Sequence, residues 1–430
     1  MNNFENLSRR GFLQAAGAAA LLLSAGCAST SSSTQKLGRV IVVGGGYGGA
    51  TAARYLRLWG GGAIEVFLIE RNPNFVSCPL SNLVLGGSRR IEDLTVSYAR
   101  LRELGVTVIQ DEVTGINPDK KTISLTKVAD LSYDRLVLSP GVDFIPGQVA
   151  GLDSAAAQER VLHAWKAGPQ TVALRRQLEA MPDGGVFAIS IPKAPYRCPP
   201  GPYERVCQVA WYFKNHKPKS KIIVLDANED IQSKKGLFLA QWNGQYKGLI
   251  EYRNNSEVKE VDVASLTTTT DLGDKQKADV LNVIAPHRAA DIAQKAGVIN
   301  ANNRWCQVDW LSMESTARPG IHVLGDALLP APAMPKSGHM ANQHGKTAAA
   351  AIIELMNGRA PSPTPMMTNT CYSFVDDKNV VHVDSVHVYD AKDKTLKTVP
   401  GSGGLSAAAN TLEGEYANAW AKNIWADMLG

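Results

Sequence analysis

The 430 residues are 44% apolar and 20% charged, with a formal net charge of +5. This is the balance of a globular protein long enough for two or three domains. The basic excess is spread along the chain rather than gathered in a run, which argues against a nucleic-acid partner.

At the start, Ser8-Arg9-Arg10-Gly11-Phe12-Leu13-Gln14 precedes an apolar stretch over residues 15–25, then Gly26-Cys27 and a Ser/Thr-rich segment. Paired arginines, a short weakly apolar core and small residues read as a twin-arginine export signal. The stretch is too short to cross a bilayer, and no later apolar run approaches membrane-span length. Leu23-Ser24-Ala25-Gly26-Cys27 is a loose lipobox, which leaves lipidation of Cys27 open. Residues 1–35 are therefore expected to be signal and linker, and the mature chain periplasmic, where disulfides persist.

The segment Arg39-Val40-Ile41-Val42-Val43 predicts a short buried strand leading into Gly44-Gly45-Gly46-Tyr47-Gly48-Gly49. An Ala-rich helix over 50–58 and a strand over 64–69, ending at Glu70, complete a strand–turn–helix–strand unit. In Gly44-x-Gly46-x-x-Gly49 the glycines permit a tight turn and bring backbone amides to a pyrophosphate at a helix N-terminus. Glu70 stands where an acid accepts the adenosine ribose hydroxyls. A strand over 135–138 runs into Ser139-Pro140-Gly141.

A second α/β unit is expected from residue 152, with helix 171–181, strand 185–191, helix 203–216 and strand 221–226. Its first strand meets Pro192-Lys193-Ala194-Pro195-Tyr196-Arg197-Cys198-Pro199-Pro200-Gly201-Pro202-Tyr203-Glu204 in place of a second glycine fingerprint. Prolines remove amide donors, so NAD(P)H is not the expected reductant. A strand over 321–324 then reaches Gly325-Asp326, and a helix spans 337–356. After the Pro-rich break 361–365 come a β-leaning tail and a helix over 415–428. On that helix Tyr416, Trp420, Ile424 and Met428 share a face suited to packing rather than to a membrane.

The glycine pattern does not choose among dinucleotides. Val323-Leu324-Gly325-Asp326-Ala327 does, because it resembles the second FAD motif of flavoproteins with two dinucleotide domains, whose Asp holds the ribityl chain and phosphate. Ser139-Pro140-Gly141 resembles their middle motif. The expected fold is α/β, with two Rossmann-like dinucleotide-binding domains of the disulfide-reductase kind and a C-terminal α+β unit. The FAD-binding domain is expected over 36–151 and 291–360, the second Rossmann-like domain over 152–290, and a flavin-facing or interface domain over 361–430.

The six cysteines show no C-x-x-C and no metal-ligand spacing, so no metal site is expected. No C-x-x-C-H attaches a haem. Cys198, next to Arg197 and a helix start, has surroundings that favour a thiolate. From spacing alone, Cys198 and Cys371 fit inert buried thiols as well as a redox pair.

Several segments closely resemble the flavoprotein subunit of flavocytochrome c sulfide dehydrogenase. They include Val43–Arg54, Cys78-Pro79-Leu80-Ser81-Asn82, His163–Gly168, Tyr196–Arg205, Met334–Gly338 and Asn369-Thr370-Cys371-Tyr372-Ser373. The resemblance implies sulfide oxidation to sulfur or polysulfide. It implies a redox-active Cys198–Cys371 disulfide, Glu204 as acid/base, FAD linked covalently to Cys78, and a c-type cytochrome subunit that carries the haem and takes the electrons. Lys336 and Ser337, at the start of the long helix, are expected beside the flavin's pyrimidine edge. A periplasmic sulfide:quinone oxidoreductase or another FAD-dependent oxidoreductase is the alternative.

Overall fold

Val40, Ile41 and Val42 are fully buried and form the middle of β1 (Gly38–Val43). An apolar run without alternation suits a strand covered on both faces. The computed structural model describes residues 36–430. The expected export segment, with Arg9, Arg10 and Cys27, lies outside them.

Beyond β1, helix α1 (Tyr47–Trp59) crosses to β2 (Ile64–Glu70), which is parallel to β1. Strand β3 (Thr107–Gln110) adds beyond β2, and β4 (Arg135–Leu138) pairs with the other side of β1. The chain then builds a four-stranded parallel sheet from β5 (Val186–Ile191), β6 (Lys221–Asp226), β7 (Ile250–Arg253) and β8 (Val280–Val283), in the order β7-β6-β5-β8. Helices α2 (Pro169–Ala180), α3 (Gly201–His216) and α4 (Lys235–Asn243) belong to this unit. Proline opens α2, where its missing N–H has no intrahelical partner to lose.

The first sheet is completed late. Strands β9 (Val308–Asp309), β10 (Glu314–Ser315) and β11 (Ile321–Val323) join it to give the order β9-β10-β11-β4-β1-β2-β3. Strands β1, β4 and β11 are parallel neighbours, so the loops at Gly44, Ser139 and Gly325 leave the same sheet edge side by side. Such an edge, where connections diverge to either side, is where open α/β sheets bind ligands. Helix α5 (Gly338–Met356) packs along α1.

The tail is an antiparallel sheet of β12 (Met366–Phe374), β13 (Val380–Asp390) and β14 (Thr395–Thr398), followed by α6 (Thr411–Leu429). The apolar face expected on α6 is rotated. Ile424 and Met428 are buried with Ala417 and Ala421, whereas Tyr416 is 52% exposed. Small residues let the helix lie close to the sheet, and the bulky tyrosine falls outside the contact. No helix among the described residues is long and apolar enough to cross a membrane.

Candidate active site

One cavity of about 480 Å³ opens along the shared sheet edge. At one end the three glycines of the fingerprint do different work. Gly44 has φ +97°, a conformation that side chains disfavour. A Cβ on Gly49 would stand 1.9 Å from the Gly44 carbonyl oxygen, so only glycine lets helix and turn meet this closely. A Cβ on Gly46 would meet nothing within 4 Å, because that residue borders the cavity itself. Glu70 lines the same end; its Oε2 accepts the Gly45 N–H at 2.7 Å and its Oε1 that of Asn72 at 2.8 Å. Farther along, Gly141 has φ +67° and Asp326 keeps a buried Oδ1 without a partner. A buried unpaired carboxylate oxygen is costly unless a donor reaches it. Apart from Gly49, which packs behind the turn, these residues line the cavity.

The other end is built from segments far apart in sequence: Cys78, Cys198, Glu204 and Cys371 line the same space. Cys198 has φ +57°, and its N–H donates to the Lys336 carbonyl at 2.8 Å. Its own carbonyl accepts the Gly201 N–H at 2.9 Å, which starts α3. Cys371 lies on β12, where Asn369 Nδ2 donates to its Sγ at 3.6 Å. Ser337, the N-cap of α5, donates to Asn369 Oδ1 at 2.6 Å. Both cysteines are thus tied to the start of α5, one through Lys336 and the other through Ser337.

Cys198 and Cys371 are not bonded to each other in this structure. The thiolate expected at Cys198 is also not what its surroundings favour. Burial pushes its thiol well up, the charges of Cys371 and Glu204 push the same way, and Arg197 and Lys234 only oppose them. The helix start and one arginine do not outweigh the loss of water. Cys371 is likewise raised by burial, with Lys234 as the leading opposing charge.

Glu204, on the first turn of α3, is buried. Its Oε1 accepts the Phe374 N–H at 2.9 Å and its Oε2 accepts Asn82 Nδ2 at 3.0 Å. Burial raises its carboxyl and these donors hold it partly back, leaving a group suited to carrying a proton.

Lys336 lines the cavity, but its ammonium turns inward. It donates to the carbonyls of Asp326, at 2.9 Å, and Leu328, and lies 3.6 Å from the centre of the Trp305 ring. Burial brings it down to about 7. The positive charge expected to face a cofactor is therefore spent on protein groups.

Three basic residues also shape this end, and only Arg197, beside Cys198, carries a local signal in the sequence. Arg197 lies beside the Cys78 side chain. Buried Arg205 joins Asn82 Oδ1 at 3.0 Å, Asn282 Oδ1 at 2.8 Å and the carbonyls of His163 and Ala164. Lys234 reaches in from the start of α4 to the carbonyl of Cys371 at 2.7 Å. Nothing local in the sequence marks Arg205 or Lys234 for this role, and only long-range packing brings them here.

The second parallel sheet bears on the cofactor question. Asp226, at the end of β6, corresponds to Glu70 at the end of β2. Here it is buried and taken by Tyr203 Oη at 2.7 Å, Tyr252 Oη at 3.0 Å and Asn228 Nδ2 at 2.7 Å. The protein's own side chains occupy the acid that would meet a second nucleotide's ribose.

Residues 171–285 match the central segment of the flavocytochrome c sulfide dehydrogenase flavoprotein chain, and residues 363–429 match its flavin-binding segment. Residues 38–178 match the pyridine nucleotide-disulphide oxidoreductase family. The mitochondrial sulfide:quinone oxidoreductase of Mus musculus is 23% identical over 290 residues, covering 62% of this chain and 60% of the relative. The chain thus spans less than two thirds of that relative. In structure it is similar to the sulfide:quinone oxidoreductase of Aquifex aeolicus, with a TM-score of 0.73, 18% identity and 91% of each chain covered. An NAD-dependent persulfide reductase of A. fulgidus follows at 0.61 and 15% identity, covering 91% of this chain and 77% of the other. At these identities the likeness establishes the fold. The flavin that the family models imply suits the residues present: an open glycine turn for a pyrophosphate, Glu70 for a ribose, and the unpaired Asp326 Oδ1 for a hydroxyl donor.

Proposed function

We propose that this chain, a flavoprotein of the flavocytochrome c sulfide dehydrogenase and sulfide:quinone oxidoreductase type, oxidises sulfide through Cys198 and Cys371 and delivers the electrons to a c-type cytochrome subunit. The observation that carries this reading is the meeting of Cys198 and Cys371 in the cavity bordered by the glycine turn. The pair is separated by most of the second α/β unit and by α5, yet both residues hang from the N-terminus of that helix.

In the working cycle sulfide meets the two cysteines joined as a disulfide. Hydrosulfide attacks one sulfur, the S–S bond breaks, a persulfide forms on the attacked cysteine, and the electron pair of the broken bond stays on the other as a thiolate. Glu204 takes up or returns the proton that accompanies sulfide. When bound, FAD supplies a two-electron acceptor for the pair. The residues that would hold it are Gly44, Gly46 and Gly49 at the pyrophosphate, Glu70 at the ribose, Gly141 and Asp326 along the chain, and Ser337 at the start of α5. Cys78, which lines the same cavity beside Arg197, is the attachment point for a thioether. The product is sulfur or polysulfide. Location in the periplasm follows from the twin-arginine segment.

The test is anaerobic. Sulfide should bleach the bound flavin's yellow absorbance faster than NADH does, and the reduced protein should then pass electrons to a c-type cytochrome. Faster bleaching by NADH would overturn the reading. The likeness to two sulfide:quinone oxidoreductases favours a second reading, in which the acceptor is a quinone. Turnover with a short-chain quinone but not with cytochrome would select it.

A further inference from the structure

We propose that Lys234 is a positioning residue of the cysteine pair: its buried ammonium is the fixed counter-charge that keeps the electron pair of the opened disulfide on Cys371. The inference rests on the reading of Cys198 and Cys371 as a redox pair.

Lys234 sits just before α4 with φ +55°, in the left-handed region, and is 4% exposed. A non-glycine residue held there is strained, and such strain persists where surrounding contacts demand it. The contacts are specific. Its Nζ donates to the Cys371 carbonyl at 2.7 Å, Ser373 Oγ at 2.8 Å and the Val381 carbonyl at 3.2 Å. One lysine from the second α/β unit thereby joins the strands β12 and β13 of the tail.

All three acceptors are neutral. They satisfy the ammonium's hydrogens but leave its charge uncompensated, and no described carboxylate lies within ion-pair distance of it. The next residue does the opposite: Lys235 pairs with Asp230 at 2.5 Å on the surface. Burying a cation without a counter-ion is expensive, and packing alone would be better served by an apolar side chain. Burial brings Lys234 down to about 8, so it carries its charge at pH 7.5, and the groups that hold it up when ionised are Cys371, Glu204, Cys198 and Glu413, in that order of influence. Arg197 and Arg205 are the other cations around the pair.

A counter-charge fixed beside Cys371 gives the attack a direction. Hydrosulfide forms its bond to Cys198, the S–S bond breaks, and the thiolate that leaves is the one Lys234 faces. Burial works against a thiolate at either sulfur, and Lys234 is the leading charge that opposes it at Cys371.

The test uses purified holoprotein reduced with dithiothreitol, so it needs no sulfide chemistry. Alkylation of Cys371 by iodoacetamide is followed by peptide mass spectrometry from pH 6 to 10 in wild type, K234Q and K234R. Removing the charge should move the profile up by about one pH unit or more, slowing alkylation of Cys371 at pH 7.5 roughly tenfold. K234R should restore the wild-type profile. An unchanged profile in K234Q would overturn the proposal, as would equal shifts in K234Q and K234R, which would mean a purely structural role. If K234Q does not fold, K234M fills the same space without charge and is read the same way. Inactivity of wild type with sulfide, with these shifts intact, would instead remove the sulfide reading and leave the charge pairing standing.

Discussion

The carboxylate of Glu204 accepts the backbone N–H of Phe374 at 2.9 Å, which ties the first turn of α3 to the strand that carries Cys371. The same group is the proposed proton carrier, so one side chain both sets the distance between the two cysteines' segments and titrates beside them. Glu204→Gln keeps an oxygen for Phe374 but turns a donor toward Asn82, whose own amide already donates to the carboxylate. Sulfide-dependent flavin reduction should slow by about 10²–10⁴-fold, with folding stability down by roughly 1–3 kcal/mol. Stopped-flow absorbance and a urea titration measure the two effects. An unaltered rate would remove Glu204 from the chemistry.

Cys198→Ser and Cys371→Ser should each abolish sulfide oxidation while the flavin stays bound, because the glycine turn and Glu70 lie at the far end of the cavity. The visible flavin spectrum and the rate with sulfide check both halves of this. Full activity in either variant would end the proposed mechanism.

Cys78→Ala protein should release its flavin on acid precipitation, whereas wild type should retain it in the pellet. Arg197→Met should lower the fraction of protein carrying linked flavin, because Cys78 loses its cationic neighbour. Equal release from wild type and Cys78→Ala would show that the cysteine carries no link.

His344 lies in the core beside Gly325, whose N–H donates to its Nδ1 at 3.2 Å, and its Nε2 is buried without a partner. Burial, helped by the charge of Lys336, holds this imidazole at about 3, and burial holds that of His322 at about 4. Both are near 6.5 in an unfolded chain, so the unfolded state takes up more protons as pH falls. Their stabilisation is complete above pH 6.5 and is lost as pH drops toward 4 and 3, by roughly 2–3 kcal/mol each at pH 4.5. Melting by circular dichroism at pH 7 and 4.5 should show a smaller drop in Tm for His344→Gln than for wild type. Equal drops would mean that this histidine does not drive the acid sensitivity.

Replacing Arg9 and Arg10 by lysines should leave the protein in the cytoplasm, because twin-arginine export discriminates between these cations. Cell fractionation decides it, and normal export of the variant would refute the reading of the leader.

Local order determined much of this protein at the level of sequence. A buried strand, a glycine turn, a helix and an acid-tipped strand follow from neighbours a few residues apart, and the structure has them at Gly38–Glu70. The prolines after β5 and the Gly325-Asp326 turn were equally legible, because steric and hydrogen-bonding rules act over such short spans. The cysteine pair was legible only through its resemblance to a family, since nothing in the spacing of Cys198 and Cys371 distinguishes them from Cys207 and Cys306. What tertiary structure alone decided is the electrostatics of that pair. Burial turned Cys198 from an expected thiolate into a high-pKa thiol. Lys336 folded its charge back onto Asp326 and Leu328, and Lys234 entered from the start of α4 to stand beside Cys371. Desolvation and Coulomb attraction depend on distance through space and on the water excluded, and neither leaves a period or a motif in the chain.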